Sequence, residues 1–388
     1  MSLQPIKIHN KAMIKIGFTG DFCPWLRVEN EVKANNWHSL FKEVKSFFDQ
    51  NDLNIIDLEC PLTVANDGIL KTGPHIKAHP ETAVILNHLN CKLVATANNH
   101  FKDYGWKGMQ ETYETLTQNK ISWFGSGANI KEASKTFYWK KDETTIAFIN
   151  VTENEWTTTH DATPGCNPID LATVFYKIRE AKKNADFVVI IAHGGHEHYE
   201  LPSPRMKKWY RFFVDAGANA VIAHHTHIIS GYEIYNEAPI FYSLGNFCFD
   251  WNNLRNKPWN KGMMVCLSFE KNNPITFKIE FVSQNNDVPG LFMVKDAEKK
   301  TMLQHLEKLN TIIADDTILE NEFKKYAQTW KPVMNTWIQP YKGKIMSSLY
   351  KRGLLPSIIT KRKKLLYTNL IQCEAHRDIL LQSINPNK

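Results

Sequence analysis

The chain has 388 residues, of which 43% are hydrophobic and 12% aromatic; that excludes a globally disordered polypeptide and allows one large domain with an appendage, or two or three domains. Its net charge of +7 is unevenly placed, because residues 295–388 carry 17 Lys and Arg against 9 Asp and Glu, leaving 30 against 31 elsewhere. The body is therefore electrically balanced and the tail alone is basic, which suits an anionic partner such as a phospholipid surface, an acidic polymer or, without sequence specificity, nucleic acid.

Short apolar runs alternate with helix-length segments up to about residue 223. Strands are predicted at 13–20, 53–58, 92–97, 187–192 and 220–223. Helices are predicted at 39–49, 81–89, 108–119, 170–184 and 204–216, with Asp170 as an N-cap and Gly217 closing the last of them. This rhythm predicts an α/β core whose strands are buried on both faces. After His227 the pattern changes. Residues 228–235, 238–243, 262–270 and 274–283 read as consecutive strands, with turns at Asn236-Glu237 and Asn272-Asn273-Pro274, and predict a second, antiparallel sheet. The stretch 284–290 reads as a linker. Beyond it, helices are predicted at 297–309 and 318–330, and over most of 344–381 with a break near Gly353 and Pro356. The predicted organisation is a domain over 12–285 and a basic helical extension over 291–388.

Five of these strands end in metal-binding side chains. Asp21 closes the first, Glu59 the second, Asn99 and His100 the third and His193 the fourth, and His225-Thr226-His227 follows the fifth. Alternation along an extended chain points His225 and His227 the same way. One buried histidine alone is a core residue about three times in four. Five strand ends repeating the pattern predict a centre for Zn, Mn or Fe ions, at the end of the sheet where α/β proteins bind ligands. Asn99 can cap a metal without adding charge. His100 beside it can donate a proton to a leaving oxygen, with Asp103 orienting its ring. His196 sits on a Gly-rich loop open to substrate, metal or solvent. Lys77 can reach a phosphate or carboxylate, or remain solvated.

Seven cysteines at 23, 60, 91, 166, 248, 266 and 373, without any Cys-x-x-Cys, predict a reducing compartment rather than a disulfide framework. Residues 1–11 lack the apolar stretch of a signal peptide, and no run of about 18 apolar residues occurs, so a cytoplasmic location is expected. In the tail, Lys361-Arg362-Lys363-Lys364 lies between Leu354-Leu355, Ile358-Ile359 and Leu365-Leu366, which predicts a helix with an apolar face and allows peripheral membrane contact.

Several motifs carry a family resemblance. They are Thr19-Gly20-Asp21, Asp57-Leu58-Glu59-Cys60-Pro61-Leu62, Ala97-Asn98-Asn99-His100 with Asp103-Tyr104-Gly105, His193-Gly194-Gly195 with Glu197, and Pro202-Ser203-Pro204-Arg205. His224-His225-Thr226-His227 and Tyr242-Ser243-Leu244-Gly245-Asn246-Phe247 with Asp250 complete the set. Together they resemble the poly-γ-glutamate capsule synthesis (CapA) family, whose catalytic domain looks like a divergent calcineurin-type metallophosphoesterase. The resemblance implies a four-layer α/β/β/α sandwich of two mixed sheets. It implies one or two divalent metal ions (Mn, Zn or Fe) held by Asp21, Glu59 as the bridging carboxylate, Asn99, His193, His225 and His227. His100 becomes the proton donor with Asp103 behind it, and Lys77, His196, Glu197, Arg205 and Asn246 are expected to contact substrate. Two positions depart from the family pattern. Cys23 stands where a histidine is expected, so the first metal either lacks a ligand or takes a thiolate, and Glu59 replaces an aspartate. The implied activity is hydrolysis or transfer at a phosphoester, amide or ester of an anionic envelope polymer or its precursor. The alternative is a non-catalytic, metal-containing subunit of a capsule-assembly complex.

Overall fold

A computed structural model describes residues 13–339, 341 and 343–372. The chain divides into two compact units between Glu320 and Asn321. The strands of the first unit are β1 (Ile14–Cys23), β2 (Leu53–Leu58), β3 (Leu93–Ala95), β4 (Ser122–Phe124), β5 (Ser126–Gly127), β6 (Phe137–Lys141), β7 (Thr144–Thr152) and β8 (Gly165–Cys166). They continue with β9 (Phe187–His193), β10 (Ala220–His224), β11 (Tyr232–Tyr235), β12 (Ala238–Phe241), β13 (Asn246–Phe249), β14 (Lys261–Phe269), β15 (Thr276–Gln284) and β16 (Leu291–Met293).

One sheet runs β16-β15-β14-β1-β2-β3-β4, with β13 alongside the end of β1. The other runs β11-β12-β10-β9-β7-β6. Both are mixed: β1, β2, β3 and β4 are mutually parallel while β14 to β16 are antiparallel additions, and β7, β9, β10 and β12 are parallel between antiparallel edges β6 and β11.

Alternation along the strands explains the layering. In β9, Phe187, Val189 and Ile191 join Ile14, Ile16, Phe18 and Ile55 of the facing sheet in a common core. The intervening Val188, Ile190 and Ala192 pack outward against Val174, Ile178 and Phe213 of the helices Leu171–Asn184 and Pro204–Ala216. On the far side of the first sheet, Ile56 and Leu58 pack against Ile85, Leu86, Met109 and Leu116. The result is the four-layer α/β/β/α sandwich that the motifs implied, with the central strands β2, β9 and β10 buried on both faces. Two glycine features hold this end of the first sheet together. A Cβ on Gly20 would lie 1.9 Å from the Gly245 carbonyl oxygen, and Gly245 itself has φ +68°. That close approach lets the Asp21 amide donate to the Gly245 carbonyl at 2.9 Å.

The structure differs from the sequence expectation in five places. The later strands do not form a separate sheet: β14–β16 extend the first one and β11–β12 extend the second. A strand's residue pattern encodes its exposure but not which open edge it joins. The central strand β7, Thr-Thr-Ile-Ala-Phe-Ile-Asn-Val-Thr, was not predicted, although its β-branched content favours extended chain. The predicted 39–49 helix is two short pieces, Trp37–Phe41 and Lys45–Asp49. The segment 284–290 is a tied loop rather than a linker. Asn285 bonds Gly290 in both directions at 2.9 and 3.0 Å, and Arg27 donates to the carbonyls of Asn285, Asn286 and Asp287. The helix Asp296–Ala314 belongs to the first unit, since Leu306 lies in the inter-sheet core and Leu309 and Ile313 lie in the outer one. The unit boundary thus falls after residue 320, not at the 285/291 boundary read from sequence.

The second unit contains the helices Lys344–Lys351 and Lys361–Gln372, interrupted where Gly353 takes φ +74°. Gln339 donates to Tyr350 Oη at 3.1 Å and Ser357 Oγ at 2.8 Å, and Tyr341 donates to the Pro356 carbonyl at 2.6 Å. Residues 1–12, Cys373 and the predicted helical stretch beyond Gln372 lie outside the described residues. Among the described residues the other six cysteines are free and buried, and no helix is long and apolar enough to cross a membrane.

Candidate metal centre

The two sheets bring their carboxyl ends to one place. On β1 and β2, Asp21 is in register with Asp57; on β9 and β10, His193 is in register with His224. Glu59 follows Asp57 by two residues, so both carboxylates leave β2 on the same side. The strand β10 ends at His224, and the next residues bend: His225 has φ +98° and His227 φ +59°. Strand alternation is therefore not what converges these two rings, as the sequence reading assumed; a turn with left-handed residues does it. Non-glycine residues held at positive φ concentrate at functional sites.

Seven buried groups form three overlapping sets of potential ligands, namely Glu59, His193 and His225; Asp21, Asp57 and His224; and Asp21, Glu59 and His227. Asn99 Oδ1 is 2.9 Å from His193 Nε2, which is also 3.5 Å from Glu59 Oε1 and 3.2 Å from His225 Nδ1. His193 Nδ1 is 3.1 Å from Asp57. Asp21 lies 3.0 Å from His224 Nδ1 and 3.2 Å from His227 Nδ1, and His227 Nε2 is 3.7 Å from Glu59. All six ligands implied by the resemblance thus converge. Asp57 and His224 join them, and sequence reasoning passed over both. Strand alternation from Glu59 would have flagged Asp57, but only the pairing of β9 with β10 sets His224 beside His193.

The electrostatics are sharply divided. Burial opposes ionisation of Asp21, yet hydrogen bonds from His224 and His227 hold its carboxyl far below the usual carboxylate range. The same contacts, against the cost of burial, raise the pKa of both histidines. Glu59 is the opposite case. It is completely buried, and neither carboxylate oxygen has a hydrogen-bond partner. Burial first, then the negative charges of Asp21 and Asp57, push its pKa well above 4.5. Burial, with His193 and His227 nearby, pushes the His225 pKa well down, which keeps that ring neutral and able to bind a cation.

His100 stands beside this cluster. Its Nδ1 lies 2.8 Å from Asp103 Oδ2, which also accepts from the Ile76 amide at 2.9 Å. Lys71, almost fully buried, salt-bridges the other oxygen of Asp103 and lies 3.3 Å from His100 Nδ1. Lys71 was not singled out in the sequence, where it looks like any loop lysine. Lys77, expected at the substrate, instead bonds the loop at Ala65 and Asn66 and lies over the Tyr104 ring. Asn246, also expected there, is fully buried; it accepts from His227 Nδ1 at 3.0 Å and donates to the carbonyls of His227 and Trp259. It therefore orients a histidine. Arg205 pairs with Glu153 at 2.5 Å and lies over Trp209. Glu197 is close enough to bias the titration of Glu59 and His227. His196 belongs to none of the ligand sets, and its ring lies 6.5 Å from that of Tyr199. Cys23 is likewise absent from the sets. Its thiol lies in the helix-side core, where burial first and then Cys60 push its pKa well above the ordinary value.

A four-layer α/β/β/α sandwich whose parallel strands end in a buried carboxylate–imidazole cluster sets the class of protein. The chain belongs to the bacterial capsule synthesis protein PGA_cap family, whose model matches residues 15–251. It is 29% identical over 309 residues to the PGA biosynthesis protein CapA of Bacillus subtilis, covering 78% of this chain and 80% of that one. It is 27% identical to the capsule biosynthesis protein CapA of Bacillus anthracis, covering 66% of this chain and 64% of that one. A probable polyglutamine synthesis accessory protein of Mycobacterium tuberculosis is 24% identical, covering 52% of this chain and 57% of that one.

Proposed function

We propose that this protein is a metal-dependent hydrolase or transferase acting on a phosphoester, or on an amide or ester, during synthesis of poly-γ-glutamate or another anionic capsule polymer. The observation that carries this reading is Glu59. A fully buried carboxylate with two unpartnered oxygens, facing two further carboxylates, is costly for a protein to maintain. A divalent cation among Asp21, Glu59, Asn99, His193, His225 and His227, with Asp57 and His224 beside them, turns that cost into binding. The oxygen and imidazole donors fit Mn, Zn or Fe. One or two such ions supply a Lewis acid that polarises the scissile group and activates water near neutral pH.

The chain's own residues do the rest. His100 Nδ1–H donates to Asp103, whose other oxygen is held by Lys71, and this leaves Nε2 to exchange a proton with the reacting oxygen. Burial lowers the His100 pKa against the pull of Asp103, and an incoming anionic group raises it again. The expected partners are the anionic polymer or its precursor and capsule-assembly proteins. A second reading, a metal-containing assembly subunit without turnover, is favoured by Cys23, which stands where a metal-binding histidine was expected and joins none of the ligand sets.

The test is elemental analysis together with turnover of a phosphodiester and of a γ-glutamyl amide. His225→Ala/His227→Ala should lose metal. His100→Ala should keep metal and lose about 10²–10⁴-fold in kcat. Metal retained in the double variant refutes the centre, whereas metal bound without turnover of either substrate selects the assembly-subunit reading.

A further inference from the structure

We infer that the second unit is an interfacial module that docks the protein on an anionic phospholipid surface. Residues 323–373 contain 11 Lys and Arg and no Asp or Glu. The cations beyond residue 331 therefore have no carboxylate within their own segment. Interspersed with them are large apolar side chains that the fold leaves in water: Trp337, Ile345, Leu354, Leu365 and Ile371 are 65–76% exposed. The run Lys361 to Lys364 directly precedes two of the exposed leucines, Leu365 and Leu366, on the helix Lys361–Gln372.

The two features select the occupant jointly. A water-soluble polyanion would neutralise the lysines but leave the apolar side chains hydrated. An anionic bilayer takes both: headgroups attract the cations, and the interfacial zone accepts Trp, Leu and Ile without a spanning helix. Membrane attachment by this route needs no transmembrane helix, and no helix among the described residues is long and apolar enough to cross a membrane. Docking would hold the metal centre near a membrane-borne polymer or precursor, although the inference stands on the second unit alone and does not require the centre to turn over.

The experiment is sedimentation of the full chain with vesicles of phosphatidylglycerol and phosphatidylcholine, and with vesicles of phosphatidylcholine alone. Binding is expected to the anionic vesicles only, falling about tenfold or more as the Debye length shrinks from ~10 Å at about 0.1 M salt to ~3 Å at about 1 M. Lys361→Glu/Arg362→Glu/Lys363→Glu/Lys364→Glu and, separately, Leu365→Ser/Leu366→Ser should each weaken it. Three results overturn the inference. One is no vesicle binding by the wild type at low salt. Another is binding of poly-γ-glutamate, but not of vesicles, that the leucine variant retains, which makes the unit a polyanion site. The last is concentration-dependent dimerisation abolished by the leucine variant, which makes the apolar surface a contact between copies.

Discussion

Replacing Glu59 with Gln should stabilise the metal-free protein and abolish its stabilisation by metal. Gln has the same shape, and its amide can donate to a neighbouring imidazole nitrogen, so the change removes charge with little disturbance of packing. Ligand atoms of Asp21 and Glu59 lie within 4.8 Å of each other. Two unit charges at that separation repel by about 3 kcal/mol at an effective dielectric constant of ~20. A shorter separation raises this bare figure, whereas His227 offsets part of the repulsion and the folded state escapes it by taking up a proton when that costs less. The sign with pH follows from the raised Glu59 pKa. The folded protein holds this proton more tightly than the unfolded chain, whose value is near 4.5, so stability is lost as pH rises through the interval above 4.5. The variant should lack this loss. With divalent metal the order reverses: an ion at ~100 times its Kd adds about 2.7 kcal/mol to the wild type and little to the variant. The assay is urea unfolding at about pH 5 and about pH 8, after chelation and again with Mn²⁺. A variant less stable than wild type in chelator at the higher pH, or stabilised as much by Mn²⁺, would refute the account of Glu59.

Gly20→Ala should destabilise the protein by about 1–3 kcal/mol or more, because the added Cβ meets the Gly245 carbonyl oxygen at 1.9 Å; an unchanged urea midpoint would show that the two strand ends can part freely. Asp250→Ala removes both carboxylate oxygens from Arg27, bonded at 2.8 Å each. The cost should be about 3 kcal/mol, at the low end for a buried pair, since Arg27 is partly exposed and keeps three carbonyl acceptors; thermal unfolding measures it. Asn246→Ala leaves the converging ligands in place but removes one of the two acceptors, beside Asp21, that hold the His227 ring, so metal affinity should fall about 10–100-fold by isothermal titration. No change in affinity would return Asn246 to a purely structural place.

Strand ends carried most of what could be read ahead of the structure. Asp21, Glu59, Asn99, His193, His225 and His227 were found because an apolar run followed by a polar ligand is a local pattern, and in parallel sheets all such ends meet on one side. His100 with Asp103 was legible for the same reason, three residues apart on one loop. The basic tail was visible as composition. What remained hidden depends on partners distant in sequence. His224 looked like the last residue of a strand until β10 paired with β9, and Asn246 became a support for His227 only because β13 lies along β1. Lys71 gains its place beside His100 from a loop that packs across Asp103. Cys23 and Asp21 are two residues apart, yet the register shift between Asp21 and Phe22 in the pairing of β1 with β13 accompanies a change of side, with the cysteine in the helix-side core beside Cys60 and the aspartate among the histidines. Local sequence determines which residues are extended, buried or charged, because those depend on side-chain chemistry and periodicity. Which strand edges meet, and therefore which buried charges face one another, is decided only when the whole chain packs.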